Sequence, residues 1–323
     1  MYNYTLVAMS EKLRQCNASL SVARRSGCPS SRWQDAVADI LVQHRPSNAS
    51  LLFVNVGANK GYNVAEFMLR FHRDGRLQNS EQWHAALLKN KGNERMRVRY
   101  GCGLCNACKS RLPRTRHHVP VEAHAIEMVD VNAGALRRLF REFKVPGAVH
   151  HLAMSNYTGR ASHRPATAVG LEHFELGKGP ATRRVPCTTL DAFAASHLRH
   201  AHDVALLSID AEGQDALILE GAHSMIAAQR IAVLEFEFIA RGFWRSDHRE
   251  QRLLGSTLQK LEANGYRCFW QGESGALAPA SGPYWCDAFQ FKMRSNLVCS
   301  HLATIVSVFH RLSAATMGHA AVL

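Results

Sequence analysis

Residues 203–239, DVALLSIDAEGQDALILEGAHSMIAAQRIAVLEFEFI, constrain the fold most. An apolar run ends in Ile209-Asp210, passes through Glu212-Gly213 and continues as a helical pattern. A strand that hands over to a helix through a short polar turn is the unit of a parallel α/β sheet, and such sheets hold ligands at the carboxyl ends of their strands. Upstream, Leu51 to Gly61 (LLFVNVGANKG) repeats the arrangement, with an apolar run breaking into a glycine turn ahead of a second helix. Two such units with polar turns predict one ligand crevice.

Apolar spacing extends this reading along the chain. Trp33 to Gln43 has a helical period and is expected to cap the sheet. Strand Leu51 to Val56 leads into helix Tyr62 to Phe71. A strand over Glu122 to Met128 precedes helix Asn132 to Phe143, which Val145-Pro146-Gly147 stops. Strands follow at Val149 to Met154, Val204 to Asp210 and Ile231 to Phe238, with a short helix over Thr189 to His200 that Thr189 caps. Glu250 to Ala263 reads as a helix closed by Asn264-Gly265. Tyr266 to Trp270 and Asp287 to Met293 read as a terminal hairpin around the Gly/Pro/Ser-rich residues 272–283. Strands alternating with helices imply right-handed crossovers. The expected fold is therefore α/β, a doubly wound, mostly parallel, seven-stranded Rossmann-like sheet with a terminal antiparallel hairpin. Residues 1–50 form an N-terminal helical cap, 51–300 the main domain and 301–323 a tail.

Residues 72–119 are too long for an ordinary connection and read as an insertion. The net charge of +13, from 39 basic and 26 acidic residues, is concentrated there. Lys89, Lys91, Arg95, Arg97, Arg99, Lys109, Arg111, Arg114 and Arg116 face only Glu94. Such a patch attracts phosphates, nucleic acid or acidic glycans, and it equally suits a solvated loop. Inside it, Cys102, Cys105 and Cys108 have a spacing that can converge on a structural zinc, with His117 or His118 nearest as fourth ligand. An iron–sulfur cluster with Cys28 as the remote ligand is the other metal reading. Free or disulfide-forming loop cysteines are the alternative to both.

No run reaches the ~18 apolar residues that a membrane span requires. Leu302 to Phe309 is shorter and reads as amphipathic packing. The N-terminus lacks the basic and apolar regions of a signal peptide, so the cytoplasm is the default compartment. Sequons at Asn3, Asn17, Asn48 and Asn156, with nine cysteines, keep a secretory lumen open. There, Cys268 and Cys286 are the candidate disulfide, and the odd cysteine total leaves at least one unpaired.

Taken together and in order, FVNVGANKG, VPCTTLDAF, LLSIDAEGQDALILEGA and AVLEFE resemble the FkbM-type S-adenosylmethionine-dependent methyltransferases, a branch of the class I Rossmann-like enzymes. The first fifty residues and the 72–119 insertion lie outside the resemblance. It implies S-adenosylmethionine as cofactor and a hydroxyl on a sugar, glycan or secondary metabolite as acceptor. Gly57 and Gly61 would let the methionine half of the cofactor approach the main chain without a Cβ in the way. Asn59 and Lys60 share that turn, Lys60 facing either the cofactor carboxylate or solvent. The family usually carries an acid where this chain has Asn55, which puts support for the cofactor's ammonium group in question. Glu127 is the expected ribose ligand, with Asp130 as competitor, and both have helix capping as their bland alternative. Ala153, Met154 and Ser155 fall where the family contacts adenine.

Asp210 is the residue expected beside the reaction, as proton acceptor, substrate orienter or ligand of the cofactor's amino group. Capping of the following helix by Asp210 and Glu212 is the structural alternative. Glu235 and Glu237 end their strand at the same edge, and Glu235 is taken as the second catalytic carboxylate. Two other functions remain open to the sequence. A nicotinamide-dependent oxidoreductase fits the sheet, but the turn lacks G-x-G-x-x-G. A nucleic-acid- or metal-binding module would use residues 89–118. A small-molecule or glycan acceptor is the expected partner, ahead of nucleic acid.

Overall fold

The computed structural model describes residues 2–25, 28–72, 76–89, 97–98, 117–166, 168–170, 183–198, 203–239, 242–244, 252–290 and 294–320. The chain divides into two compact units, one of residues 38–232 and one that joins residues 1–37 to residues 233–323.

In the 38–232 unit, strands Leu51–Val56, Val121–Glu127, Gly147–His151 and Val204–Ile209 pair in parallel. The first and last of the four are buried along their whole length, as strands covered on both faces must be. Numbered along the chain, their spatial order is 3-2-1-4, the first four strands of a doubly wound sheet, whose direction of winding reverses between strands 1 and 4. Ligands of such sheets sit at that reversal. The strand after Leu51–Val56 is reached through helix Tyr62–Phe71, whose buried face carries Val64, Ala65, Phe67, Met68 and Phe71. Phe67 stacks on Phe53 with centroids 4.7 Å apart, and each fully buried side chain of this kind contributes about 1.5–3 kcal/mol. Helix Asp130–Glu142 buries Ala133, Leu136, Leu139 and Phe140, and begins at Asp130 rather than Asn132. Helix Leu190–His197 starts as expected at Thr189, whose side chain accepts from the Ala192 N–H at 3.1 Å.

The strand expected over Val149 to Met154 is two. Gly147–His151 stays in the parallel sheet, while Ala153–Met154 pairs with Arg183–Thr188, which also pairs with Gly159–His163. Ala153 packs there with Ala161, Val185 and Cys187. Of the 72–119 insertion, helix Ser80–Lys89 and the short strand Arg97–Val98 are described, the latter paired with Ala168–Val169. Most of its basic residues and Cys102, Cys105 and Cys108 lie outside the described residues.

The second unit carries strand Ile231–Phe238 from Val233 onward, then Ser295–Ser300, Arg267–Gln271 and Leu277–Pro279 in that spatial order, every pairing antiparallel. Eight strands thus stand in place of the seven expected, in a mixed, mostly parallel sheet. The hairpin differs in register as well. Asp287–Gln290 is a 3-10 turn that buries Phe289 against Trp270 and Trp285, and the strand opposite Arg267–Gln271 is Ser295–Ser300. Leu277–Pro279, inside the segment read as a loop, pairs with Phe269–Gln271 because Leu277 and Ala278 are core residues.

Helices Tyr2–Arg25 and Ala303–Ala320 both pack on this antiparallel sheet. Ile305, Val308 and Phe309 are buried, as the amphipathic reading of that tail requires. The cysteine pairing also departs from expectation. Cys268 bonds Cys299, directly opposite on the neighbouring strand with Cα atoms 4.1 Å apart, and Cys286 bonds Cys16. Among the described residues no helix is long and apolar enough to cross a membrane.

Candidate functional site

The reversal point of the parallel sheet lies between strands Leu51–Val56 and Val204–Ile209, and Gly57 and Asp210 follow these strands directly. The Asp210 N–H donates to the Val56 carbonyl at 3.0 Å. Gly57 has φ 77°, and a Cβ on it would stand 1.8 Å from the Asp210 carbonyl oxygen. The two turns are therefore in backbone contact, and only glycine permits it. Gly57 and Ala58 both donate their N–H groups to the Ile126 carbonyl, which ties the same turn to the end of strand Val121–Glu127.

Glu127 closes the third side. Its Oε2 accepts the Asn59 N–H at 2.7 Å and its Oε1 the Val129 N–H at 2.8 Å. The Met128 N–H and the Asn132 side chain donate to the same carboxylate, whose pKa burial nevertheless pushes up to about 7. Asp130, the competitor, begins its helix, accepts the Val131 N–H and pairs with Arg183. Glu127 is thus the acid at the glycine turn.

Two amides, one in the strand and one in the turn that follows it, are incompletely satisfied. Asn55, 1% exposed in mid-strand, donates to the Ser208 carbonyl at 3.4 Å, and its buried Oδ1 has no hydrogen-bond partner among the described residues. The buried Oδ1 of Asn59 has none either. A buried acceptor without a donor costs about 1–3 kcal/mol, so both oxygens favour a ligand that brings N–H, O–H or positive charge. Lys60 does not face solvent. It is 3% exposed, and its Nζ donates to the Gly170 carbonyl at 3.4 Å.

The loop after Val204–Ile209 is organised by a residue the sequence reading passed over. Asp215 is fully buried, and its carboxylate accepts the Gly213 N–H at 3.1 Å and the Ala211 N–H at 3.4 Å. Burial, and then the charge of Asp210, push its pKa up to about 8. Neither Asp210 nor Glu212 caps helix Asp215–Glu220; Gln214 occupies the cap position without a side-chain bond, and its buried Oε1 has no partner among the described residues. Asp210 itself is exposed.

Gly61, with φ 77°, completes the turn. A Cβ there would meet Leu136 Cδ2 at 2.5 Å and Trp83 at 2.8 Å. The Trp83 indole N–H donates to the Lys60 carbonyl at 2.8 Å, and Tyr62 Oη lies 2.6 Å from His84 Nδ1. Helix Ser80–Lys89 therefore packs directly on the glycine turn. Asn132 is a second residue that spacing did not reveal: it bridges Glu127 to the Gly170 N–H, which donates to its Oδ1 at 2.8 Å.

Ala153, Met154 and Ser155 are buried, and the Ser155 N–H donates to the Thr188 carbonyl at 3.1 Å. Glu235 belongs to the other unit, where its carboxylate accepts from Gln271 Nε2 at 2.9 Å and Gln271 Oε1 accepts the Trp33 indole N–H at 3.0 Å. No three metal-ligating side chains converge among the described residues. His117 pairs with Asp39 at 3.1 Å, and Cys28 is disulfide-bonded, which removes it as a remote cluster ligand.

Residues 55–268 match the family model described as "Methyltransferase FkbM domain". That span runs from Asn55 in the first strand to Cys268, and contains the whole Gly57, Glu127 and Asp210 arrangement. A search of curated proteins finds no match to the chain.

Proposed function

The chain belongs to the FkbM methyltransferase family, and on that premise we propose that it is an S-adenosylmethionine-dependent O-methyltransferase whose acceptor is a hydroxyl on a sugar, glycan or secondary metabolite. The observation that carries the reading is the Gly57 turn. It abuts the Asp210 backbone at the reversal point of the sheet, beside a buried Glu127 and the unpartnered oxygens of Asn55 and Asn59. These residues fit the cofactor, which brings an ammonium group, hydroxyls and a sulfonium to a turn rich in acceptors.

S-adenosylmethionine supplies a methyl group activated by positive sulfur. In this assignment Gly57 and Gly61 allow its methionine half to lie against the main chain, and Asn55 Oδ1 and Asn59 Oδ1 accept from its ammonium group. An amide at position 55 offers no charge, so Glu127 is the principal anion of the cofactor site. The remaining lone pairs of Glu127 accept the ribose hydroxyls, and Ala153, Met154 and Ser155 border the adenine. Asp210 orients the acceptor hydroxyl and takes its proton at the carboxylate as the oxygen attacks. In-line displacement asks chiefly for positioning and exclusion of water, with the base adding about 10²–10⁴-fold.

A labelled-methyl transfer screen across glycans and small hydroxylated compounds tests the assignment. Asp210→Asn should reduce turnover on any acceptor found by at least ~100-fold and alter cofactor affinity little. Thermal stabilisation by NAD, with none from S-adenosylmethionine or S-adenosylhomocysteine, would overturn it.

A further inference from the structure

We propose that this chain matures in an oxidising lumen and carries an N-linked glycan on Asn48. The inference is independent of the methyl-transfer reading. Its first support is the state of the cysteines. Cys16, Cys28, Cys268, Cys286 and Cys299 are all disulfide-bonded, and among the described residues only the buried Cys187 is a free thiol. Cytosolic reductants keep thiols reduced, whereas disulfides form and persist in oxidising compartments. Bridging Cys16 to Cys286 joins positions 270 residues apart, so this pair closes only once both have been brought together by folding. Each bridge forms by exchange with an oxidised dithiol carrier: the thiol pair gives up two electrons and two protons, and the carrier disulfide is reduced.

In such a compartment a sequon becomes a substrate. Asn48-Ala49-Ser50 lies in the turn between helix Trp33–His44 and strand Leu51–Val56, and Asn48 is exposed. The backbone around it is held: the Ala49 N–H donates to the Pro46 carbonyl at 3.0 Å, and the Arg45 guanidinium donates to the carbonyls of Ser47 and Ala49. Asn17 and Asn156 are exposed as well, but each is engaged or set in a helix. Asn156 donates its amide to Glu220 Oε2 at 2.9 Å, and Asn17 lies within helix Tyr2–Arg25. Asn48 also stands at the amino end of the strand whose carboxyl end is Gly57, about 20 Å away at a strand's rise per residue. A glycan there leaves the candidate site uncovered. In the transfer step, Asn48 Nδ2 bonds the anomeric carbon of a lipid-diphosphate-linked oligosaccharide. The carbon–oxygen bond to the diphosphate breaks, and Nδ2 loses one proton as the lipid diphosphate departs.

The test uses the full chain isolated from cells that make it. Thiols are blocked with N-ethylmaleimide at lysis, the unreduced protein is digested, and peptides are mapped by mass spectrometry before and after peptide-N-glycosidase in heavy-oxygen water. The expected result is Cys16 joined to Cys286, Cys268 joined to Cys299, Cys187 alkylated, and Asn48 converted to heavy-oxygen-labelled aspartate. Alkylation of Cys16, Cys268, Cys286 and Cys299 before any reduction would overturn the compartment. Joined peptides with an unmodified Asn48 would overturn the glycan.

Discussion

Gly57 answers two requirements at once, a φ of 77° and an approach of the Asp210 carbonyl that leaves no room for a Cβ. Gly57→Ala must therefore shift backbone rather than a flexible side chain. It should lower stability by about 3 kcal/mol or more and abolish detectable cofactor binding, read by denaturant unfolding and calorimetry. Glu127 gives a pH signature. Its carboxyl titrates near 7 in the fold against 4.5 ordinarily. Between those values the folded chain keeps a proton that the unfolded chain has released. Its contribution is therefore full at acid pH and is lost as pH rises through about 7, on the order of 3 kcal/mol in all. Asp215 acts in the same direction up to about pH 8. Melting temperature without ligand should fall between pH 5 and 8.5, while affinity for S-adenosylhomocysteine should rise as Glu127 ionises to accept hydroxyls. Glu127→Gln should flatten both profiles. Sequence pattern led to Gly57, Glu127 and Asp210 because each stands at the end of an apolar strand. It passed over Asp215, Asn132 and Gln214 because their roles come from hydrogen bonds that no spacing encodes.

At the scale of elements, the core strands and their helices were legible where apolar period and length were unambiguous, as in Leu51–Val56 and Tyr62–Phe71. Legibility failed where a segment changes sheet, as Ala153–Met154 does, and where a short buried strand hides among turn residues, as Leu277–Pro279 does. Helix Ser80–Lys89 is the most instructive case. Sequence sets it in an insertion outside the family pattern, yet Trp83 donates to the Lys60 carbonyl and packs against Gly61 and Phe143. Removing a fully buried tryptophan costs about 3–5 kcal/mol. Trp83→Ala should show that loss in chemical denaturation and also weaken cofactor binding severalfold. Unchanged binding in the folded variant would show that the helix supports the fold without shaping the turn.

On the scale of the whole molecule, residues 1–37 and 233–323 form one compact unit, an assembly of chain ends that no local pattern announces. The Cys16–Cys286 bridge ties them together within that unit. Closing so long a loop is worth on the order of 5–6 kcal/mol in the chain-entropy view. Reduction, or Cys16→Ser with Cys286→Ser, should therefore lower the melting temperature by roughly 10 °C. The family match covers the parallel sheet from Asn55 onward, with its reversal point, so the central claim concerns what binds there. Titration calorimetry of S-adenosylhomocysteine at pH 8 into the wild-type chain and Glu127→Ala tests it most directly. The account predicts saturable one-to-one binding to wild type, weakened at least ~10-fold by the substitution, a change of about 1.4 kcal/mol. No heat with wild type at millimolar ligand, or equal affinity in a folded Glu127→Ala, would contradict it.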